Sequence, residues 1–535
     1  MKQSLKCKGR RLDGRSRLAV ASAVLLLGLG LPGGPLLAQL PTLGDAGDMT
    51  ANVERHLGDS IAREIYRDPD YIDDPILVEY VGGIWQPLLQ AARARGDLTN
   101  ELQERLAWEI VLDRTRSINA FALPGGYLGV NLGLIAVVTS RDELASVLGH
   151  ELSHVTQRHI SRIIAKQSAQ APWVMAGMLL GVLAAGRNPD AANAMIVGSQ
   201  AAAMQNQLNF SRDMEREADR LGYGAMTQAG FDPEGFVTMF EKLQQGSRLN
   251  DSGNYPYLRS HPLTTERIAD MQTRTQLLPH NGANARPTSE HFMVTARARV
   301  LSQPGVDALR ALVNEASATT AAALPPARLA GVLYGATLAS VKLRDFGVAD
   351  TYLSRLVALT RNDAPAARQA RLLAAELAMA KGNAGAALQL VRARETANAD
   401  AVAAGAGAPA GDAAGIAGRP ELLLAGQAML ALGQTAVLAA NLQAWVALHP
   451  RDASAWQLLS SVYAAQGQTL RSIRADAEVR VAQLDYAGAM NRFRAAQELV
   501  RTAASRGTVD HIEASIIDSR ARMVASLLKE QALEK

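Results

Sequence analysis

Hydrophobic residues recur along most of the chain with the period of α-helices. In residues 51–105 the apolar positions include Ile61 and Val81, and the pattern is interrupted at Pro69 and Pro75. Because proline inside a helix removes a hydrogen bond and clashes with the preceding turn, helices are expected to end near these positions. This stretch therefore predicts packed helices separated by short turns.

Three short runs, 108–112, 118–122 and 127–131, have a different pattern. They are rich in β-prone residues and are separated by polar or Gly/Pro turns, which predicts a small antiparallel sheet. Gly125 and Gly126 permit close approach of the backbone. We expect the last strand either to be an edge strand that pairs with an extended substrate or to belong to an ordinary hairpin.

After residue 278 the composition shifts to a polar, Pro/Gly-containing stretch and then to Ala/Leu/Arg helices. Gly433 and Gly467 are 34 residues apart, and each ends an apolar helical pattern. Trp456 and Tyr463 between them resemble the tetratricopeptide pattern. Residues 281–535 therefore predict an all-α tetratricopeptide-like solenoid, with a flexible insertion at 400–419. Such a solenoid either binds peptides and partner proteins or only caps the domain before it.

Residues 1–38 have the features of a cleavable export signal. Seven basic residues and one acidic residue precede or flank an apolar run at 18–31, and Ala38 precedes a tolerable cleavage site. A membrane anchor is the alternative, but the run is shorter than a span and is closed by Pro32 and Pro35. Arg10 and the adjacent Arg11 only weakly match a twin-arginine signal. The sequence thus predicts an exported protein.

Removal of this segment changes the electrostatic picture. The whole chain has a net charge of +4, but residues 39–535 contain 48 basic and 50 acidic residues. No basic stripe remains, which argues against nucleic acid as a partner. Cys7 is the only cysteine and lies in the signal, so the mature chain is expected to have neither disulfides nor a lipid anchor.

A second apolar run, at 172–185, is too short to span a bilayer comfortably. It predicts either a buried helix of the first domain or a hydrophobic segment that makes peripheral contact with a membrane or an unfolded client.

The segment 144–159, LASVLGHELSHVTQRH, contains the candidate metal-binding and catalytic residues. His150 and His154 are four residues apart, so both imidazoles lie on one face of a helix and can bind one metal ion. Glu151 is then placed beside the metal's open position, where it can accept a proton from water. Ser140 and Glu143 match a capping box at the start of this helix. The pattern predicts the catalytic centre of a zinc peptidase with one Zn²⁺ per chain.

A catalytic zinc usually has a third protein ligand. Glu215 and Asp219 are four residues apart in a charged helical stretch, so one can bind the metal while the other orients a histidine ligand. Glu217 points about half a turn away. The same residues also fit an ordinary solvated helix face. His159, five residues beyond His154, is expected to face away from the metal on a continuous helix.

Four segments together resemble the peptidase family that contains HtpX and the CAAX prenyl endopeptidases. They are H-E-x-x-H at 150–154, E-x-x-A-D at 215–219, N-A-F-x-x-P-G-G at 119–126, and H-P-x-x-x-x-R from His261 to Arg267. The resemblance implies His150, His154 and Glu215 as zinc ligands, with Glu151 and Asp219 in the catalytic site. It also implies an α+β, mainly helical, zincin-type domain over residues 39–280.

His261 lies in a motif that returns to the active site in that family. Two roles remain open: a donor to the oxyanion, or a fourth ligand that closes the zinc at rest and must leave before catalysis. A helix-start histidine without a catalytic part is the alternative. Gly253 would allow the segment to move.

The layout of signal, protease and repeats is most similar to periplasmic members of the family. This resemblance implies misassembled outer-membrane β-barrel proteins as substrates and the barrel assembly machinery as a partner. The alternative is a non-proteolytic holdase or scaffold in which the repeats bind clients and the metal site is structural or idle.

Overall fold

The structure is a computed structural model, and it describes residues 49–167, 212–249, 256–276, 287–318, 321, 323–392, 418–504 and 510–533. The predicted export signal at 1–38, the apolar run at 172–185, the glycine at 253 and nearly all of the predicted insertion at 400–419 lie outside the described residues. Residues 47–535 form one compact unit. Among the described helices, none combines the length and the apolar composition needed to cross a bilayer.

The described part of the chain is mostly helical with one small sheet. The first segment contains α1 (Ala51–Arg67), β1 (Tyr71–Ile72), α2 (Pro75–Arg95), α3 (Asn100–Arg105), β2 (Glu109–Asp113), β3 (Ala120–Leu123), β4 (Tyr127–Asn131), α4 (Leu132–Val137), α5 (Arg141–Thr156) and α6 (His159–Gln167). After residue 211 follow α7 (Arg212–Gln228), α8 (Glu234–Leu249), α9 (Pro256–Ser260) and α10 (Thr265–Gln276). The predicted helix ends near the two prolines are confirmed. Helix α1 ends at Arg67, before Pro69, and helix α2 begins at Pro75.

The sheet differs from the prediction in its pairing. Its strand order is β1-β2-β4-β3, and β2 pairs with β4 in parallel, so the sheet is mixed rather than antiparallel. The expected edge strand, β4, lies between two neighbours and is buried at every position, whereas β3 lies at the edge. A strand buried on both faces has no polar alternation, and the sequence therefore could not show which run is central.

In the C-terminal region, the described residues form helices and no strand. They are α11 (Ser289–Leu301), α12 (Val306–Ser317), α13 (Pro326–Lys342), α14 (Phe346–Thr360), α15 (Ala364–Ala380), α16 (384–392), α17 (Arg419–Ala431), α18 (Thr435–Leu448), α19 (Ala453–Ala465), α20 (Thr469–Ala482), α21 (Tyr486–Ala504) and α22 (His511–Leu533). Gly382, Gly433 and Gly467 follow helices and adopt positive φ of 78°, 72° and 71°, as a helix-ending glycine does. The predicted role of Gly433 and Gly467 as helix ends is confirmed.

Ion pairs join this helical region to the N-terminal part. Arg297 on α11 donates from Nε to Asp74 Oδ1 at 2.8 Å and from Nη2 to Asp74 Oδ2 at 2.7 Å. Arg419 on α17 donates from Nη1 to Asp73 Oδ1 at 2.8 Å. Since both acids lie at the start of α2, the helical region is held against the helix that packs on α5.

Candidate metal centre

Helix α5 positions the predicted histidine pair. Ser140 is its N-cap and accepts a hydrogen bond from Glu143 N at 3.1 Å. The reciprocal half of the capping box is altered, because the Glu143 carboxylate accepts from Thr139 N, at 2.6 Å, rather than from Ser140 N. His150 and His154 both point into the interior and are buried.

Helix α7 crosses α5 at two glycines. A Cβ on Gly222 would lie 2.8 Å from the carbonyl carbon of Gly149, so only glycine allows this close crossing. The crossing brings Glu215 and Asp219, which share one face of α7, to the face of α5 that bears His150. Both carboxylates are buried, which excludes the solvated-face interpretation for these two residues.

Four side chains converge in this interior. One ligand atom each from His150, His154, Glu215 and His261 lies within 4.8 Å of all the others. The Nε2 atoms of His150 and His154 are 2.9 Å apart, and each lies 3.5 Å from a Glu215 oxygen. Around a tetrahedral zinc with ligand distances of about 2.0–2.1 Å, donor atoms are roughly 3.3 Å apart. The separations are therefore those of donors that share one ion.

The electrostatics also fit a cation. Burial raises the pKa of Glu215 to about 7 and lowers the pKa of His154 well below its usual range. Glu215 Oε2 lies 2.7 Å from Arg267 Nη1 but has no hydrogen bond of good geometry among the described residues. Two neutral imidazoles and a carboxylate form a donor set that suits zinc, and a bound cation would stabilise the charged form of Glu215.

Asp219 and Arg267 lie behind His150. Asp219 Oδ1 is 2.8 Å from His150 Nδ1, and Arg267 donates to both Asp219 oxygens, at 2.6 and 2.8 Å. Burial alone would raise the pKa of Asp219, but the Arg267 guanidinium outweighs it and holds that pKa below the usual range. The ionised carboxylate can therefore accept from His150 Nδ1–H and leave Nε2 to a metal. The role of Arg267 was not evident from the sequence.

Glu151 lies between the centre and strand β3. Its Oε2 accepts a hydrogen bond from Ala122 N on β3 at 2.9 Å. Its Oε1 is buried and has no hydrogen-bond partner among the described residues. Burial, and then the charge of Glu215, raise the pKa of Glu151 well above its usual range. The Tyr257 side chain also interacts with this carboxylate and lowers its pKa, but less than burial raises it. A buried carboxylate oxygen without a protein hydrogen bond of good geometry is suited to bind a water molecule or a proton at this point.

His261 follows α9 and enters the centre from the other side. Its Nδ1 is 3.0 Å from Glu215 Oε1 and 3.3 Å from His150 Nε2, and its Nε2 is 3.4 Å from Glu151 Oε1. Burial and the charge of Arg267 lower the pKa of His261 to about 3, which leaves the ring neutral. Tyr257, which the sequence did not single out, stacks on this ring with centroids 4.7 Å apart.

His159 is not among the four converging donors, as expected, but the helix assumed to continue from His154 to His159 is interrupted. His159 Nδ1 lies 2.9 Å from His154 Nδ1, and His159 Nε2 lies 3.1 Å from Glu217 Oε2. Helix α5 ends at Thr156, and the chain reverses through Arg158 in a left-handed conformation with φ of 52°. The ring therefore turns back towards His154, which a continuous helix would not allow.

Several known proteins resemble this chain. Residues 91–275 match the model of peptidase family M48. The putative β-barrel assembly-enhancing protease of Vibrio cholerae is 32% identical over 344 residues, which cover 62% of this chain and 67% of that protein. The β-barrel assembly-enhancing protease of Escherichia coli K12 is 32% identical over 268 residues, 49% of this chain and 51% of that protein.

The mitochondrial metalloendopeptidase OMA1 of Arabidopsis thaliana is 36% identical over 161 residues, 30% of each chain. This chain thus spans about half of the length of the E. coli relative and two thirds of the Vibrio relative. These relatives are named as proteases or as a metalloendopeptidase, and the Vibrio match is longer than the stretch that the family model covers. On these matches, the chain belongs to peptidase family M48 and is a metalloprotease.

Proposed function

We propose that the chain is an exported, zinc-dependent endopeptidase of the periplasm that degrades misassembled outer-membrane β-barrel proteins and assists their assembly, with the barrel assembly machinery as a partner. The names of the Vibrio and E. coli relatives, β-barrel assembly-enhancing proteases, support the client class. Export rests on the pattern of residues 1–38. The observation that carries the catalytic part is a single one: Glu151 Oε1 is buried and has no hydrogen bond of good geometry among the described residues, beside the converging donors of His150, His154, Glu215 and His261.

In the proposed mechanism His150, His154 and Glu215 hold the metal, and Asp219 keeps the His150 ring in the correct tautomer. A bound zinc ion would supply the Lewis acidity that polarises the scissile carbonyl and acidifies the attacking water. Glu151 accepts the proton of that water at Oε1 and passes it to the leaving amine. The hydrogen bond from Ala122 N fixes the other oxygen of Glu151, so that the carboxylate keeps one orientation through both transfers.

We assign His261 the role of a fourth donor at rest. Its Nδ1 is as close to Glu215 Oε1 as the other donors are to each other. In this position it occupies the place that water needs, so the segment that bears it must move before hydrolysis.

Substrate binding would use strand β3 rather than β4. Ala122 directs its N–H away from β4 and towards Glu151, so the outer edge of β3 faces the donor set. Ala120, two residues along, presents its backbone groups to the same side. A client in extended form can therefore pair with this edge through main-chain hydrogen bonds, which read little of its sequence.

The helical region, which we interpret as tetratricopeptide-like repeats, would bind the client at a distance from the centre. A cavity of about 490 Å³ lies between the start of α2 and helices α13, α15, α17 and α19. Its lining combines apolar and polar side chains, among them Ile76, Leu424 and Gln457. This volume is within the range of ligand pockets and suits a side chain or short segment of an unfolded polypeptide. The two alternatives for residues 172–185, a buried helix and peripheral contact with a membrane or an unfolded client, remain predictions.

One observation favours the second candidate, a non-proteolytic holdase. Four donors converge, and closed four-ligand sites are typical of structural zinc. A structural zinc site does not require Glu151, however. A buried carboxylate oxygen that lacks a hydrogen bond of good geometry, as Oε1 does, lowers stability unless it serves another purpose.

Glu151→Gln separates the two candidates. The parent and this variant are incubated with an unfolded outer-membrane β-barrel protein, and zinc content is measured on the same samples. We expect full zinc content and a loss of at least about 10²-fold in cleavage rate, because the amide cannot accept the proton. Glu241→Gln, an exposed change on α8, is the matched control. Cleavage by Glu151→Gln at the parental rate would refute the mechanism, and a parent that binds zinc but cleaves no client would favour the holdase.

A further inference from the structure

His154 has a second partner, His159, which has its own carboxylate. The two Nδ1 atoms are 2.9 Å apart, and the ring centroids are 4.9 Å apart with planes at 75°. His159 is fully buried, whereas Glu217, 3.1 Å from its Nε2, is about one third exposed. His159 and Glu217 therefore lie in a row that runs from solvent to His154.

The hydrogen positions along this row follow from the partners. A carboxylate only accepts, so His159 Nε2 carries a hydrogen and donates it to Glu217. A neutral imidazole has one N–H, and His159 Nδ1 is then an acceptor. His154 Nδ1 must donate to it. This arrangement leaves the Nε2 lone pair of His154 directed at the donor set, where Nε2 lies 3.5 Å from Glu215 Oε1.

The backbone is shaped to allow this contact. Arg158 has φ of 52°, a conformation that residues other than glycine rarely adopt. Arg158 Nε donates to Glu54 Oε2 at 2.9 Å, and Glu54 is buried, so a side-chain contact with α1 holds the strained residue. On a continuous helix, residue 159 would lie about 140° around the axis from residue 154. The left-handed turn at Arg158 therefore brings the His159 ring into contact with the His154 ring.

We propose that His159 and Glu217 are positioning residues for His154: through the His154 Nδ1–H···His159 Nδ1 and His159 Nε2–H···Glu217 contacts, they fix the tautomer and ring orientation with which His154 binds the metal. The pair corresponds to what Asp219 does for His150, with a histidine inserted between ligand and carboxylate. This inference rests on the proposed metal centre.

The test compares three substitutions in the full chain. His159→Leu keeps most of the side-chain volume but removes the acceptor. Glu217→Ala changes a partly exposed residue, so it tests the His154–His159–Glu217 contacts even if His159→Leu does not fold. His159→Asn places a carbonyl oxygen near the position of Nδ1 and should restore part of the effect. Glu241→Ala, on the exposed face of α8, is the control for an unrelated carboxylate.

The readout is the rate at which zinc is lost to a chelator, together with thermal unfolding of the zinc-loaded and zinc-free forms. We expect zinc loss to be 10- to 100-fold faster in His159→Leu and in Glu217→Ala, as for other residues that orient metal ligands. His159→Asn should lie between these variants and the parent, and Glu241→Ala should match the parent.

Two results would overturn the inference. One is zinc loss at the parental rate in both His159→Leu and Glu217→Ala. The other is a drop in the melting temperature of the zinc-free forms with an unchanged gain on zinc binding, because this is what a packing role alone produces. A parent that retains no zinc would instead refute the proposed metal centre, and it is measured first for that reason.

Discussion

The buried ion pair between Asp74 and Arg297 is expected to be a major contribution to the attachment of the helical region. Arg297 makes three hydrogen bonds to the Asp74 carboxylate, donates once to the Tyr334 hydroxyl at 3.0 Å, and pairs with Glu376 at 2.9 Å. Arg297 and Asp74 are both buried. Replacement by Arg297→Met would leave two acids close together without their cation.

Removal of one partner from a buried pair costs about 3–5 kcal/mol, because the remaining charge stays desolvated. We expect this range for Arg297→Met. Asp74→Asn should cost less, about 2 kcal/mol, because Arg297 keeps Glu376 and because asparagine can still cap α2 through the bond that Asp74 Oδ1 accepts from Leu77 N. The double variant should cost less than the sum of the two, since the same contact cannot be lost twice.

The assay is urea denaturation of the zinc-loaded protein, with the free energy of unfolding extrapolated to water. The matched control is Arg299→Met on the same helix, because the Arg299–Glu315 pair is exposed, with side-chain accessibilities of 46% and 41%. An exposed pair contributes at most about 1 kcal/mol. Equal losses in Arg297→Met and Arg299→Met, or strict additivity in the double variant, would refute the reasoning.

The same pair predicts a pH dependence. Burial alone would raise the pKa of Asp74, but Arg297 outweighs it and lowers that pKa below the ordinary value. The contribution of the carboxylate is therefore complete above about pH 4 and is lost as the pH falls through the lowered value. The stability difference between parent and Arg297→Met should narrow in that acidic range, and a constant difference would contradict it.

Four further predictions concern the centre and its surroundings. Glu215→Gln should bind zinc with an affinity at least about tenfold lower than that of the parent, since a neutral amide replaces a charged ligand. Full zinc content on elemental analysis would refute the assignment of Glu215 as a ligand. His261→Ala should cleave an unfolded β-barrel protein faster than the parent if the ring is a resting ligand; a loss of about 10²-fold would make it an oxyanion donor, and unchanged turnover and zinc affinity would exclude both roles. Gly222→Ala should separate α7 from α5, because the new Cβ would lie 2.8 Å from the backbone of α5, and it should release zinc more readily than Gly305→Ala, where a Cβ meets open space. Burial lowers the pKa of His291 to about 4, so the unfolded chain binds a proton that the folded chain does not bind as the pH falls from about 6.5 to about 4. The parent should therefore lose stability through that pH range. In urea denaturation at a series of pH values, the free energy of unfolding of His291→Gln should depend less steeply on pH.

The local features of the centre were readable in the sequence. The four-residue spacing of His150 and His154 and the Ser140 cap are properties of one helix, and helices are set largely by neighbours in the chain. The helix ends at Gly433 and Gly467 are of the same kind, because a glycine with positive φ stops a helix wherever it occurs. The proline breaks around α2 were equally local.

The long-range partners were not readable from periodicity. Glu215 was assigned through a family resemblance, and the interior position of its face of α7 depends on a crossing between Gly149 and Gly222 that neither helix specifies alone. Arg267 reaches Asp219 only after the chain returns through α9 and α10. Side chains far apart in sequence meet through packing, and no pattern in one segment encodes where another segment will lie.

Two features were decided by the tertiary structure against the sequence expectation. The edge strand is β3, because β4 pairs with β2 on one side and with β3 on the other. Register and strand pairing are properties of the assembled sheet. His159 turns back to His154 because Glu54 on α1 holds Arg158 in a left-handed turn that its own residue type disfavours. By itself, therefore, the sequence determined the helix that bears the two histidines, while contacts between distant elements decided which carboxylates, and which third histidine, complete its surroundings.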